Sequence, residues 1–157
     1  MNDEKLEGII REYIDKSLHL SLATVSGDMP WVCEVHFAYD DNLNLYFRSK
    51  TGRRHSQEIA LNPHVAGNIV HQHTADEYPQ AIYFDGDAEL VEDESQFQYL
   101  YECFKQRLDV TPDIIEEAKR VDGHKFYKIV AANWYAFGKF GGPSGEKYQL
   151  TWNGGQK

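Results

Sequence analysis

The chain has 157 residues, of which 16 are Lys or Arg and 25 are Asp or Glu, leaving a formal charge of −9. This length fits one domain and lets the chain bury ~70% of the surface it exposes when unfolded, so a core needs no metal or disulfide staple. The acidic balance argues against a general binder of nucleic acid or anionic membrane, and 13% aromatic residues exclude a disordered tail, pointing instead to a strand-rich core or a planar ligand.

Leu6, Ile9, Ile10, Tyr13 and Ile14 recur at helical spacing, which predicts an amphipathic first helix capped by Asn2 or Asp3. Three alternating runs follow, separated by the polar turns 26–28 and 40–42. The first carries Leu18, Leu20 and Leu22; the second Trp31, Cys33, Val35, Phe37 and Tyr39; the third spans 43–48. Their period of two predicts an antiparallel meander. A short helix is predicted over 53–61, stopped by Asn62-Pro63, with a fourth strand over 65–70 and a fifth over 81–91. Asp93-Glu94-Ser95 opens a helix with Phe97, Leu100, Tyr101, Phe104 and Leu108 on its apolar face. Thr111-Pro112-Asp113 starts another, presenting Ile114, Ile115, Ala118 and Val121. A long last strand is predicted over 125–140, then a glycine-rich turn over 141–145 and a short segment over 148–152. That turn lacks the spacing of a phosphate-binding loop and does not run into a helix. Six or so strands with three or four helices predict a mainly β, α+β chain closed as a small barrel, which removes exposed edges. With no repeat or long linker, residues 1–157 are read as a single domain.

Cys33 and Cys103 form no CxxC pair, so neither a disulfide framework nor a four-ligand zinc site is expected. The start of the chain lacks the pattern of a signal peptide, and no apolar run reaches the ~18 residues of a membrane span. A cytoplasmic protein with reduced thiols and no membrane partner is expected.

One segment breaks the local rules. Residues 48–55, Arg-Ser-Lys-Thr-Gly-Arg-Arg-His, hold four of the sixteen cations, and no acid lies between Asp41 and Glu58. Arg53, Arg54 and His55 fall where a helix begins and where the macrodipole favours acids. A bound phosphate resolves that conflict, because helix N–H groups, guanidinium forks and hydroxyls then converge on one dianion. The alternative is a solvated basic turn paired with acids such as Asp85 or Asp87. A nucleic-acid binder would spread its cations over a face rather than concentrate them.

From Leu43 to Val70 the chain resembles the pyridoxamine 5′-phosphate oxidase-like family of FMN-binding split barrels. The resemblance lies in Tyr46-Phe47-Arg48-Ser49, the Arg54-His55 pair, and Asn62-Pro63-His64-Val65-Ala66. The run 86–93, Gly-Asp-Ala-Glu-Leu-Val-Glu-Asp, is similar to the family's fifth strand leading into its helix, and Phe137-Gly138-Lys139-Phe140 followed by Trp152 resembles an uncharacterised short branch. The resemblance implies a six-stranded antiparallel split β-barrel with flanking helices, working as a homodimer with FMN at the interface. It implies that Arg54 and His55 bind the FMN phosphate and that Arg48, Ser49 and Lys50 support the phosphate or ribityl chain. Cys33, Glu34, Val35 and His36 would lie along the isoalloxazine edge, largely through backbone groups, and Gln80 would contact the flavin. Trp134, on the partner's last strand, would cover it. The expected activity is flavin redox chemistry on a small molecule, with no catalytic side chain named. The alternatives are a non-catalytic or stress-related flavin binder, or a barrel using deazaflavin or haem. The family's true oxidases carry a further segment with a Trp and an Arg-rich motif that bind substrate and complete the dimer, which is not found after Trp152, so oxidation of pyridoxamine 5′-phosphate itself is not expected.

His71 and His73 share a strand face and would be the first candidates for an axial haem ligand, although hydrogen-bonded or solvent-facing imidazoles are the simpler reading and no metal site is expected. Glu34 and His36 also share a face, which fits either a ligand cavity or solvent. Cys33 reads as a small core residue rather than a reactive thiol.

Overall fold

A computed structural model describes residues 1–140 and 145–154, so all but Gly145 of the turn expected over 141–145 lies outside the described residues. The elements in chain order are α1 (Asp3–Asp15), β1 (His19–Ser26), β2 (Met29–Tyr39), β3 (Leu45–Ser49), α2 (Arg54–Leu61), β4 (His64–Ile69), β5 (Ala81–Leu90), α3 (Phe97–Lys105), α4 (Asp113–Lys119), β6 (Lys125–Phe137) and β7 (Lys147–Thr151). A 3-10 turn over Glu94–Gln96 leads into α3.

The sheet runs β3-β2-β1-β4-β5-β6-β7, and β3 also pairs with β6. That last pairing closes six antiparallel strands into a barrel, as the sequence leads one to expect. β6 is long enough to serve two neighbours on one edge. Its first residues pair with β3 and its last, Asn133 to Phe137, pair with β7. The segment read as a short tail is therefore a seventh strand outside the closed ring.

Alternation along each strand sorts side chains into two cores. Inside the barrel, Leu20, Leu22, Val35, Phe37, Phe47 and Trp134 pack with Ile10, Tyr13 and Ile14 of α1. Outside it, Ala38, Tyr46 and Phe126 pack under Phe97, Leu100 and Phe104 of α3 and Ile114 and Ala118 of α4. β3 is consequently buried on both faces, Tyr46 outward and Phe47 inward. Helix α4 ends at Lys119, so Val121, expected on its apolar face, is 93% exposed in the turn beyond it.

A β-bulge interrupts the pairing of β5 with β6: Gly86 faces Ala131 and Asp85 faces Asn133, leaving Ala132 as the extra residue. The bulged Ala132 carbonyl accepts from the Trp152 amide at 2.8 Å. At this point the two backbones approach so closely that a Cβ on Gly86 would lie 2.1 Å from the Val130 carbonyl oxygen, which is why glycine stands there.

Both cysteines are free. Among the described residues, no helix is long and apolar enough to cross a membrane, and no three His, Cys, Asp or Glu side chains are grouped to hold a metal ion.

Candidate functional site

The site begins where the barrel splits. β2 and β3 pair from Tyr39↔Leu45 to Phe37↔Phe47, and then β3 veers away, so that Arg48 and Ser49 pair with Phe126 and Lys125 of β6 alone. The Phe37 amide donates to Leu18 on the β1 side, whereas the Asp40 amide donates to Asn44 on the β3 side. Strand alternation then turns the Glu34 N–H and C=O groups and the His36 N–H towards the gap, beyond the last pairing of β2 with β3 at Phe37↔Phe47. A cavity of about 610 Å³ opens there, within the usual range for small-molecule sites. Its near wall is Glu34, Val35, His36, Arg48 and Ser49; Arg53 and His55 form one end, and Phe104, Leu108 and Glu117 belong to the opposite side.

The basic end is the N-terminus of α2. Arg53 is its N-cap residue, with extended backbone and no side-chain capping bond, and the first turn contains no acid. Free helix amides and a guanidinium are thus presented together, the donor set an anion needs. Among the described residues, neither Lys50 nor Arg53 has a carboxylate within ion-pair distance. The other two arginines are occupied. Arg48 pairs with Glu117, and Arg54 donates to Glu58 at 2.9 Å while its guanidinium stacks 4.2 Å from the Trp31 ring. The Glu58 carboxylate, which also accepts from Thr24 at 2.6 Å, is held below its ordinary range by those hydrogen bonds from Thr24 and Arg54. Asp85 and Asp87, the acids that a solvated basic turn would have used, bond to Asn133, Tyr135 and His64 instead.

His55 points back into the barrel mouth. One ring nitrogen lies 2.8 Å from Ser49 Oγ and the other 3.4 Å from Cys33 Sγ. Burial, and then the neighbouring Arg53 guanidinium, hold this imidazole below its ordinary value. Burial pushes the Cys33 thiol up, with Glu34 and Glu58 adding to it, which fits a packed thiol rather than a nucleophile.

The far side is organised by Glu117. One oxygen accepts from Arg48; the other accepts from the His124 amide at 3.2 Å and lies 2.7 Å from the His124 ring nitrogen. Burial raises this carboxyl, but the His124 and Arg48 bonds outweigh it and bring it down to about 2. Its stabilising contribution is therefore complete above the ordinary carboxyl value of 4.5 and is lost as pH falls from there towards about 2. The stability gap between wild type and Glu117→Gln is expected to shrink by up to about 3 kcal/mol across that window. Urea melts at stepped pH measure it, and a gap constant with pH would contradict the assignment.

Of the remaining sequence-derived candidates, Glu34 and His36 border the cavity and the others lie elsewhere. Glu34 and His36 turn their side chains to the outer face of β2, where Glu34 accepts from Ser21 and His36 stacks on His19 with ring centroids 6.0 Å apart. Gln80 sits at a different cleft, its side-chain amide donating to the Lys139 carbonyl and its own carbonyl accepting from Tyr13. His71 shares that cleft, with Nδ1 3.2 Å from Ser17 Oγ and its ring 3.9 Å from that of Tyr13. Trp134 is fully buried inside its own barrel against Phe84. Sequence reasoning passed over Glu117 and His124, which are 69 or more residues from Arg48 and carry no motif. Arg53 was within reach, since the residue just before a helix is the one whose neighbouring amides stay open.

A model of the family described as pyridoxamine 5′-phosphate oxidase matches residues 6–138. The chain belongs to the pyridoxamine 5′-phosphate oxidase family. A UPF0306 protein of Photorhabdus laumondii is 28% identical over 95 residues, which covers 60% of this chain and 66% of the relative. The match thus spans just under two thirds of that protein's length. Among solved structures, a haem-binding protein of Mycobacterium smegmatis superposes with a TM-score of 0.68 at 17% identity, over 90% of this chain and 55% of that one. An FAD-binding protein of Mesorhizobium loti gives 0.63 at 19% identity, over 83% of this chain and 90% of that one. Family membership and fold are thereby established, and proteins sharing the fold include binders of flavin and of haem.

The residues present fit a flavin mononucleotide. An acid-free helix start with Arg53 facing the cavity suits one phosphate, and the open backbone edge of β2 at Glu34 and His36 offers hydrogen-bond partners to a heterocycle.

Proposed function

We propose that this chain binds FMN in the split of the barrel and uses it in redox chemistry on a small molecule. The observation that carries the reading is the uncapped, acid-free start of α2, which presents Arg53 to the same cavity as the unpaired β2 edge. Free amides of the first turn, Arg53 and Lys50 would hold the phosphate, with Ser49 beside them, buttressed by His55. The backbone of Glu34 and His36 would orient the ring system. Bound flavin supplies the capacity to accept and donate a hydride or single electrons, and the protein's part is to bind, orient and shield it. The exposed Met29, Trp31 and Val32 of the β1–β2 hairpin support a homodimer that covers the flavin.

An absorption spectrum of the purified protein separates flavin, with blue and near-ultraviolet maxima, from haem, with its Soret band. A colourless protein that takes up no added FMN would overturn the reading. Arg53→Ala is expected to weaken FMN binding by roughly tenfold to a hundredfold, the worth of one charge-assisted hydrogen bond, and to leave riboflavin nearly unaffected. Arg54→Ala, removing a guanidinium already held by Glu58 and Trp31, is expected to change the FMN preference less. Equal losses for both flavins in Arg53→Ala would show that this residue does not read phosphate. Bleaching of the bound flavin by NADH or NADPH, and its recovery with added acceptors, would separate an enzyme from a binder.

A further inference from the structure

Consecutive side chains of β3 stand on opposite faces of the barrel wall. Ser49 points inward to His55, whereas Arg48 points outward, with its guanidinium 5.9 Å from the Phe126 ring centre and in contact with Glu117 of α4. Both oxygens of that carboxylate are committed, one to Arg48 and the other to His124. The carboxylate is also held from behind. The Lys125 ammonium donates to the carbonyls of Ala118 (2.8 Å) and Arg120, tying the end of α4 to β6. The turn that follows is packed so tightly that a Cβ on Gly123 would lie 1.9 Å from the Glu117 carbonyl oxygen. The cation nearest the far half of the cavity is thus cancelled by a carboxylate fixed in place. Around it stand Phe104, Leu108, Asp109 and Val110.

We propose that Glu117 makes this cavity a single-anion site, so that the molecule meeting the flavin there carries no phosphate or carboxylate and is instead a neutral or cationic, largely apolar compound. The proposal rests on the reading of the α2 corner as the flavin phosphate site. It assigns Glu117 as a specificity-determining residue that works by occupying Arg48. An arginine left unpaired at the same point would offer a second phosphate its fork.

The test is a calorimetric titration of the FMN-loaded protein with pyridoxine 5′-phosphate and, separately, with pyridoxine. Wild type is expected to bind the ester no more tightly than the alcohol. Glu117→Gln is expected to bind the ester at least roughly tenfold more tightly than wild type, the gain from one freed charge-assisted donor, with pyridoxine unchanged. A purely structural role for Glu117 would produce losses only. A wild-type preference for the ester of tenfold or more, or no gain in Glu117→Gln, overturns the proposal. If Glu117→Gln does not fold, Arg48→Met provides the second reading. In that variant FMN and riboflavin affinities are expected to move by the same factor, and a selective loss of FMN would show that Arg48 reads the flavin phosphate and is not cancelled. If the protein takes up no FMN, the flavin reading fails by itself. The gain in Glu117→Gln is still expected with flavin-free protein, and its absence there would sink the single-anion proposal independently.

Discussion

Trp134→Ala is expected to lower stability by about 3–5 kcal/mol, the cost of emptying a fully buried aromatic site. For a domain of this length that corresponds to a fall in Tm of roughly 6–20 °C, a large part of a typical total of 5–15 kcal/mol. The indole is completely buried, packed 5.6 Å from the Phe84 ring centre within the main core, and its Nε1 has no hydrogen-bond partner among the described residues. Trp134→Phe is therefore expected to recover most of the loss, since it restores ring volume and removes an unsatisfied donor. Thermal melts of the two variants measure both effects. A change below about 1 kcal/mol in Trp134→Ala would mean that the ring lies outside the core and is free to act across an interface.

Arg107→Met is expected to cost about 3 kcal/mol or more although it preserves most of the side-chain volume. The guanidinium is almost completely buried between the rings of Phe37 and Tyr39, 4.8 and 4.7 Å from their centres. It donates to the backbone carbonyls of Phe37 (3.2 Å), Ile14 (3.1 Å) and Ser17, binding the segment after α3 to the α1–β1 junction. Methionine leaves those carbonyls without their donor, each at a cost of about 1–3 kcal/mol where water cannot reach. Arg107→Lys is expected to fall between the two, because one ammonium cannot span three acceptors. Chemical denaturation gives the numbers, and equal stability of wild type and Arg107→Met would show that solvent satisfies these groups.

Much of the fold was legible because local periodicity reports it directly. The helix over Leu6 to Ile14, the meander and the helix stop at Asn62-Pro63 are all read from spacing and turn chemistry, and each is present. The concentration of cations at 48–55 was equally visible, since charge and helix position are both sequence properties. How those cations are used was not. Alternation alone already separates Arg48 from Ser49, but the partner of Arg48 sits 69 residues away on a helix of seven residues. Arg54 was singled out as one of a pair, yet Glu58, one turn further along the same helix, and Trp31 from β2 hold its guanidinium.

Trp134 marks the boundary most clearly. An unbroken period of two along β6 from Tyr127, Ile129 and Ala131, which all face the core, would send Trp134 outward. The extra residue at Ala132 reverses that, and it exists because Gly86 lets the two backbones meet and Trp152 satisfies the bulged carbonyl. The sequence by itself determined which segments are strands and helices, that they close as a mainly β barrel, and that an acidic chain concentrates cations at one helix start. Tertiary structure decided which of those cations stay uncommitted, where β3 parts from β2 to open the cavity, and which face of β6 carries its tryptophan. The physical reason is range. Propensity, capping and periodicity act within a few residues, whereas ion pairs, bulges and strand partners are chosen among groups far apart in the chain and meet only once the barrel has closed.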